Sequence, residues 1–294
     1  MKHVTIYGLT VLAVSLVTAL VHFGPLEPEF LEKAGYALFF GSFFLLGLPH
    51  GFVDPVLLMT GEKTWRKRLR QLEWYLVALG AGVLTWHLLP AIAVPLFLLL
   101  TAWHWGTTEV LSRRKNSKFA HFRGVAQGGV LILGVLAWDH RGALEALREA
   151  SSANFWSWPA AQIFRVSWFV TLSLVVADLI LFEDRLLRGR ALAQLGLTVV
   201  LVLVAPAVLA IAVFYLCWHA PQSYAGLRGT LTSLLLRTHF WAWLAIAFYA
   251  SVIFELVYLD PTFGFGPHFA LLACLTLPHA LLSFHHLRST LTTT

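Results

Sequence analysis

The run AIAVPLFLLLTAWHWGTTEVL, residues 91–111, decides the fold. At 1.5 Å rise per residue it makes a helix about 30 Å long, the thickness of a bilayer's hydrocarbon core. Comparable runs recur at approximately 3–23, 35–60, 72–88, 124–138, 162–182, 191–205, 207–226, 239–258 and 268–287. Pro90 separates the third and fourth runs, and Pro206 the seventh and eighth. The composition agrees. The 294 residues are 58% hydrophobic and 12% charged, with a mean hydropathy of +0.73, whereas soluble domains carry about 25% charged residues. The runs are continuous rather than alternating, so they read as helices and not as barrel strands. The expected fold is all-α: a polytopic membrane helix bundle of about 8–10 transmembrane helices, forming a single transmembrane domain over residues 1–294. The first run follows Lys2 but lacks a small-residue cleavage site and precedes Glu27 and Glu29, so it is expected to stay as a span. Cys217 and Cys274 fall inside apolar runs without metal-ligand spacing and read as small core residues.

Charge gives the orientation. Alternating the spans places loops 61–71, 112–123, 183–190 and 227–238, with both termini, on one face. That face holds about 17 of the 21 Lys and Arg, among them Arg66, Lys67, Arg68, Arg113, Arg114, Lys115, Arg188 and Arg190. The other face holds Lys33, Arg141, Arg148 and Arg165. The rich face is therefore expected to be cytoplasmic, in a cell inner (cytoplasmic) membrane, with both termini inside. Topology and anionic headgroups account for the basic clusters, and no nucleic-acid partner is expected. The stretch 139–161, with Asn154, Trp156, Trp158 and Pro159, reads as an outer loop with an aromatic belt.

Four of the runs carry a histidine: Gly47-Leu48-Pro49-His50-Gly51-Phe52-Val53-Asp54, Trp103-His104-Trp105-Gly106, Trp218-His219-Ala220-Pro221-Gln222 and Leu277-Pro278-His279. Imidazole is costly in hydrocarbon and is kept there for a partner or a task. Counted from the outer end of each span, the four lie roughly 17–22 Å deep, in one layer. A shared layer favours one metal ion over four separate helix–helix hydrogen bonds, and neutral imidazole suits iron, copper, zinc or nickel. His22, His121, His140, His239 and His268 sit near span ends or loops, and His87, His285 and His286 near interfaces. Asp54, one turn after His50, is placed to orient an imidazole or join the site. Glu109, five residues after His104, points partly away and is a weaker candidate for the same supporting role; otherwise it reads as an interfacial acid near Arg113. Pro49, Pro221 and Pro278 free backbone carbonyls beside three of the histidines. Phe52, Trp103, Trp105, Tyr215, Trp218 and Tyr224 crowd the same layer, which suits a long, apolar, conjugated substrate entering from lipid.

The ordered set of Pro-His-Gly-x-x-Asp, Trp-His-Trp-Gly with an acid shortly after, Trp-His-x-Pro and a late Pro-His resembles the Brp/Blh family of β-carotene 15,15′-dioxygenases, over roughly residues 40–287. The resemblance implies a polytopic membrane enzyme that uses Fe(II) and O₂ to split β-carotene at its central double bond into two retinals. It implies His50, His104 and His219 as iron ligands with Asp54 in support, and a functional link to a rhodopsin. One position departs from the pattern. The family run reads Trp-His-Ser-Pro-Arg-His, and here Ser223 stands where its second histidine falls. Hydroxyl is a poor iron ligand. Either His279 supplies the fourth ligand, or the activity is altered or lost.

The same histidines admit other readings. A di-iron desaturase needs runs such as His-x-x-His-His, and the set His279, His285, His286 has the wrong spacing. A haem carrier needs histidines paired across facing helices. A transporter that binds metal or relays protons needs a water-lined path and, in many folds, inverted repeats. A transporter or a metal- or haem-binding protein is the alternative to the oxygenase.

Overall fold

The structure is a computed structural model. It describes residues 2–24, 27–42, 64–113, 119–138, 143–144, 147–148, 151, 158–222 and 273–281. The helices in chain order are α1 (Lys2–Phe23), α2 (Pro28–Ser42), α3 (Trp65–Leu88), α4 (Pro90–Arg113), α5 (Ala120–Trp138), α6 (Trp158–Phe182), α7 (Arg185–Val204) and α8 (Ala207–Phe214), which continues as a π turn over Tyr215–His219. Residues 273–281 are also helical. The described residues form no strand, and the chain is an all-α helix bundle as expected. Among the described residues, four helices are long and apolar enough to cross a membrane: Pro90–Arg113, Ala120–Trp138, Ala161–Phe182 and Arg185–Val204. Thr10–Val21 and Ala207–Gln222 are shorter apolar helices.

Two boundaries differ from the sequence reading. The basic stretch expected as loop 61–71 is helical from Trp65 onward. Arg, Lys, Gln and Leu are strong helix formers, so charge marks where a helix leaves an apolar layer and not where the helix starts. The stretch 139–161, expected as loop, has helical backbone at its described residues 143–144, 147–148, 151 and 158–161. Ala143, Leu144, Leu147 and Ser151 are buried, and the Ser151 hydroxyl donates to the Leu147 carbonyl at 2.6 Å. The local run Ala-Leu-Glu-Ala-Leu-Arg-Glu-Ala, residues 143–150, has high helix propensity that hydropathy alone passes over.

The chain divides into two compact units. The first contains Met1–Ser42, Thr101–Glu145 and Asn154–Ser223, and the second Phe43–Leu100, Ala146–Ala153 and Tyr224–Thr294.

In the first unit α5 is the central element. Val130 of α5, Val175 and Leu179 of α6, and Ala191 and Leu195 of α7 form a buried apolar cluster. Trp168 of α6 is 2% exposed and donates its indole N–H to the Val130 carbonyl at 2.8 Å. Space for that indole exists because residue 134 is glycine, where a Cβ would come within 2.8 Å of the Trp168 nitrogen. Asp184 caps α7 by accepting from the Leu186 N–H at 3.0 Å. Near the end of α5, the Arg165 guanidinium donates to the Ala137 carbonyl at 3.0 Å and lies over the Trp138 ring.

Glycines set the approach of α4 and α5. A Cβ on Gly106 would land on the Gly124 carbonyl, one on Gly124 on the Thr107 hydroxyl, and one on Gly128 on the Ala102 carbonyl. Gly124 and Gly128 have the small-xxx-small spacing that lets two helix backbones touch. Gly106 of the Trp-His-Trp-Gly run is therefore a packing residue, and the contact locks the stretch of α4 that carries His104.

In the second unit, Gly82 of α3 lies against the Cys274 backbone, where a Cβ would come within 3.3 Å of the Cys274 Cα. Pro278 cannot donate to the carbonyl of Cys274, four residues earlier.

Candidate functional site

The site in the first unit is built where α4 meets the π turn. Pro221 lacks an N–H and its ring crowds the carbonyl four residues back, that of Cys217. The helix answers by widening: the Ala220 N–H reaches back to the Tyr215 carbonyl, a five-residue step. The Cys217 carbonyl accepts from the Thr10 hydroxyl of α1 at 3.2 Å instead. Trp218 and His219 are both buried, although they are sequential.

His219 meets His104. The ring centroids are 5.1 Å apart at 74°, edge to face, and the two residues are 3% and 5% exposed. Trp105 packs on His219 at 5.2 Å and stacks on Phe214 at 5.5 Å, and Tyr215 lies 5.8 Å from His219. Two of the four predicted histidines thus converge, from spans far apart in sequence. His279 is buried as well, in the second unit. His50, Asp54, Phe52, Ser223 and Tyr224 lie outside the described residues. Among the described residues, no three His, Cys, Asp or Glu side chains come together as a metal site. The donor chemistry of the pair nevertheless fits a borderline metal: two buried imidazoles, close enough for both to reach one ion.

The aromatic side chains are placed differently from one another. Trp105 and Tyr215 pack on His219, and Trp218 is directed to Glu109. Trp103 instead turns to α5, donating its indole N–H to His121 Nδ1 at 2.9 Å with the rings stacked. One cavity, lined in part by Trp105, Glu109, Gln127, Gln194 and Thr198, has a volume of about 20 Å³. A second, lined in part by Thr10, Gln194 and Trp218, has about 10 Å³. Each holds about one water at most, whereas a drug-sized ligand occupies roughly 300–1,000 Å³.

Glu109 is more deeply committed than the sequence suggested. It is 4% exposed. Its Oε1 accepts from Arg113 Nη1 at 2.5 Å, forming an ion pair. Its Oε2 accepts from Trp218 Nε1 and from Gln194 Nε2, each at 2.5 Å. Arg113 also donates to Gln127 Oε1 at 2.7 Å and faces Glu183 Oε2 at 3.4 Å. Gln127, Gln194 and Glu183 were not singled out from the sequence. Gln127 and Gln194 carry the signal that flagged the histidines, a polar side chain inside an apolar run. Glu183 sits at the edge of an expected loop and gives no such signal, yet it is buried.

These features define a class: an all-α bundle with several helices apolar enough to cross a membrane, in which two tryptophan–histidine motifs join a pair of buried imidazoles. Residues 42–285 match the beta-carotene 15,15′-dioxygenase family. The match covers well over half of the chain, and the chain belongs to this family, as the motifs implied. A stretch of 89 residues, 29% of the chain, is 30% identical to the beta-carotene 15,15′-dioxygenase of uncultured marine bacterium 66A03 and covers 32% of that protein. The aligned region thus spans about a third of that relative. No solved structure matches the chain.

Proposed function

We propose that the protein is a membrane-embedded, iron-dependent dioxygenase that cleaves β-carotene or a related carotenoid at its central 15,15′ double bond to give retinal. The observation that carries this reading is the buried His104–His219 pair, formed by two of the motifs that mark the family. His104 and His219 would hold the iron; His50, and His279 for the histidine missing at Ser223, are candidates from the motif order alone. Bound Fe(II) would supply the activation of O₂ that an organic side chain cannot provide.

The chain's own residues have clear tasks in such a reaction. His104 and His219 must present neutral ring nitrogens to a metal. Trp105, Phe214 and Tyr215 exclude water from the pair and offer flat faces to a polyene. No general acid or nucleophile is required of them.

Membrane embedding is supported by α6. Its buried face carries Trp168, Val175 and Leu179, and its exposed positions Ile163, Val166, Val170, Leu174 and Leu181 are apolar as well. A helix apolar on all sides belongs in lipid or in a large core. Positive-inside counting supports an inner-membrane location with both termini cytoplasmic. Retinal made there would suit a rhodopsin as its acceptor.

Purified protein reconstituted with Fe(II) and given β-carotene under O₂ is expected to yield retinal by chromatography. Intact β-carotene, with no retinal or other aldehyde, refutes the proposal.

A further inference from the structure

We infer that Glu109 is a positioning residue for the histidine site, acting through the indole N–H of Trp218. This rests on reading the His104–His219 pair as the reaction centre.

Helix α4 and the π turn are joined at two levels. One is a set of ring contacts, His104 with His219 and Trp105 with His219 and Tyr215. The other is the hydrogen bond from Trp218 Nε1 to Glu109 Oε2 at 2.5 Å. Glu109 lies five residues after His104 on α4, about 7.5 Å further along the axis. Trp218 directly precedes His219. A single tie would leave the π turn free to rotate about the contact. Two ties at different heights on α4 fix both its rotation and its register, and so fix where the His219 ring nitrogens point. The Thr10 hydroxyl on the Cys217 carbonyl restrains the same turn from α1.

The carboxylate is itself held. A buried charge is tolerated only when paired and hydrogen-bonded. Glu109 has both: Arg113 on one oxygen, Gln194 and Trp218 on the other. Such charge-assisted bonds are short and directional, which suits a group whose task is to aim another. Arg113 is in turn anchored by Gln127 and Glu183. The network thus reaches from α5 and α7 to the turn carrying His219.

The test uses the full-length protein in detergent. The probes are ¹⁵N NMR of the histidine rings in metal-free protein, with His219 assigned by His219→Asn, and Co(II) titration. Trp218→Phe keeps the aromatic body and deletes the donor. It is expected to shift the His219 ring resonances and weaken Co(II) binding tenfold or more, the usual scale for losing a group that supports a ligand. Gln194→Met, which removes one donor to the same oxygen but leaves Trp218 in place, is a milder second variant and is expected to shift them in the same direction by less. Arg123→Gln, which breaks the separate Arg123–Asp178 ion pair, is expected to move neither readout. Unchanged His219 resonances and unchanged Co(II) affinity in Trp218→Phe and Gln194→Met overturn the inference. If the wild-type protein takes up no Co(II) while Trp218→Phe still shifts His219, the positioning role stands and the metal reading falls.

Discussion

Replacing Gly128 by alanine tests whether the backbone contact between α4 and α5 sets the site. A Cβ at this position would lie 2.7 Å from the Ala102 carbonyl carbon and 2.8 Å from its Cα. Carbon–carbon contacts are optimal at about 3.5–4.0 Å, so the helices must separate by about 1 Å. Backbone atoms, unlike the end of a flexible side chain, cannot swing aside. Overpacking of this kind costs about 1–3 kcal/mol, which corresponds to several degrees in thermal unfolding. Ala102 lies two residues before His104, so the same shift moves the imidazole relative to His219. A displacement of that size at a reacting centre costs on the order of 100-fold in rate. Gly128→Ala is therefore expected to lose stability and most of its retinal formation together, with thermal unfolding in detergent and product chromatography as the assays. Gly196→Ala is the control. Nothing lies within 4 Å of a Cβ there, and a helical Gly→Ala change with room is worth roughly 0.5–1 kcal/mol in favour of folding. A Gly128→Ala protein with wild-type unfolding temperature and turnover would refute the close-contact account.

Other changes separate site from scaffold. Trp168→Phe removes the side-chain donor to the buried Val130 carbonyl and is expected to lower stability by about 0.5–1.5 kcal/mol, read by thermal unfolding, while the substrate KM stays at the wild-type value. Asp184→Ala removes the cap of α7 and should cost about 0.5–2 kcal/mol by the same measurement, again with no change in KM. His219→Ala is expected to abolish retinal formation and weaken Co(II) binding while leaving the helical circular dichroism signal intact. Treatment with a strong iron chelator should likewise stop product formation in the wild-type protein, and added Fe(II), but not Mg(II), should restore it; full activity in the chelated enzyme would remove iron from the mechanism.

Much of the chain's character is a one-dimensional property. Runs such as 91–111 and 162–182 are long and apolar enough to require helical backbone in any apolar setting, because nothing else satisfies their N–H and C=O groups there. The cost of imidazole in such runs singled out His104 and His219 before any fold was known, and the tryptophans beside them pointed to the family. Pro221 likewise announced a freed carbonyl, though not which group would take it up. Three things required the tertiary structure. Thr10 reaching Cys217 and Gln194 reaching Glu109 join residues far apart in the chain, and no local pattern encodes which partner a buried polar group will find. Gly106, Gly124 and Gly128 read as ordinary small residues until two backbones are brought into contact. The role of Glu109 changed most. Helical spacing on α4 turned it partly away from His104, whereas packing against α7 and the π turn gave it Gln194 and Trp218. Spacing along one helix constrains only that helix, and the direction a carboxylate serves is decided by the helices packed around it.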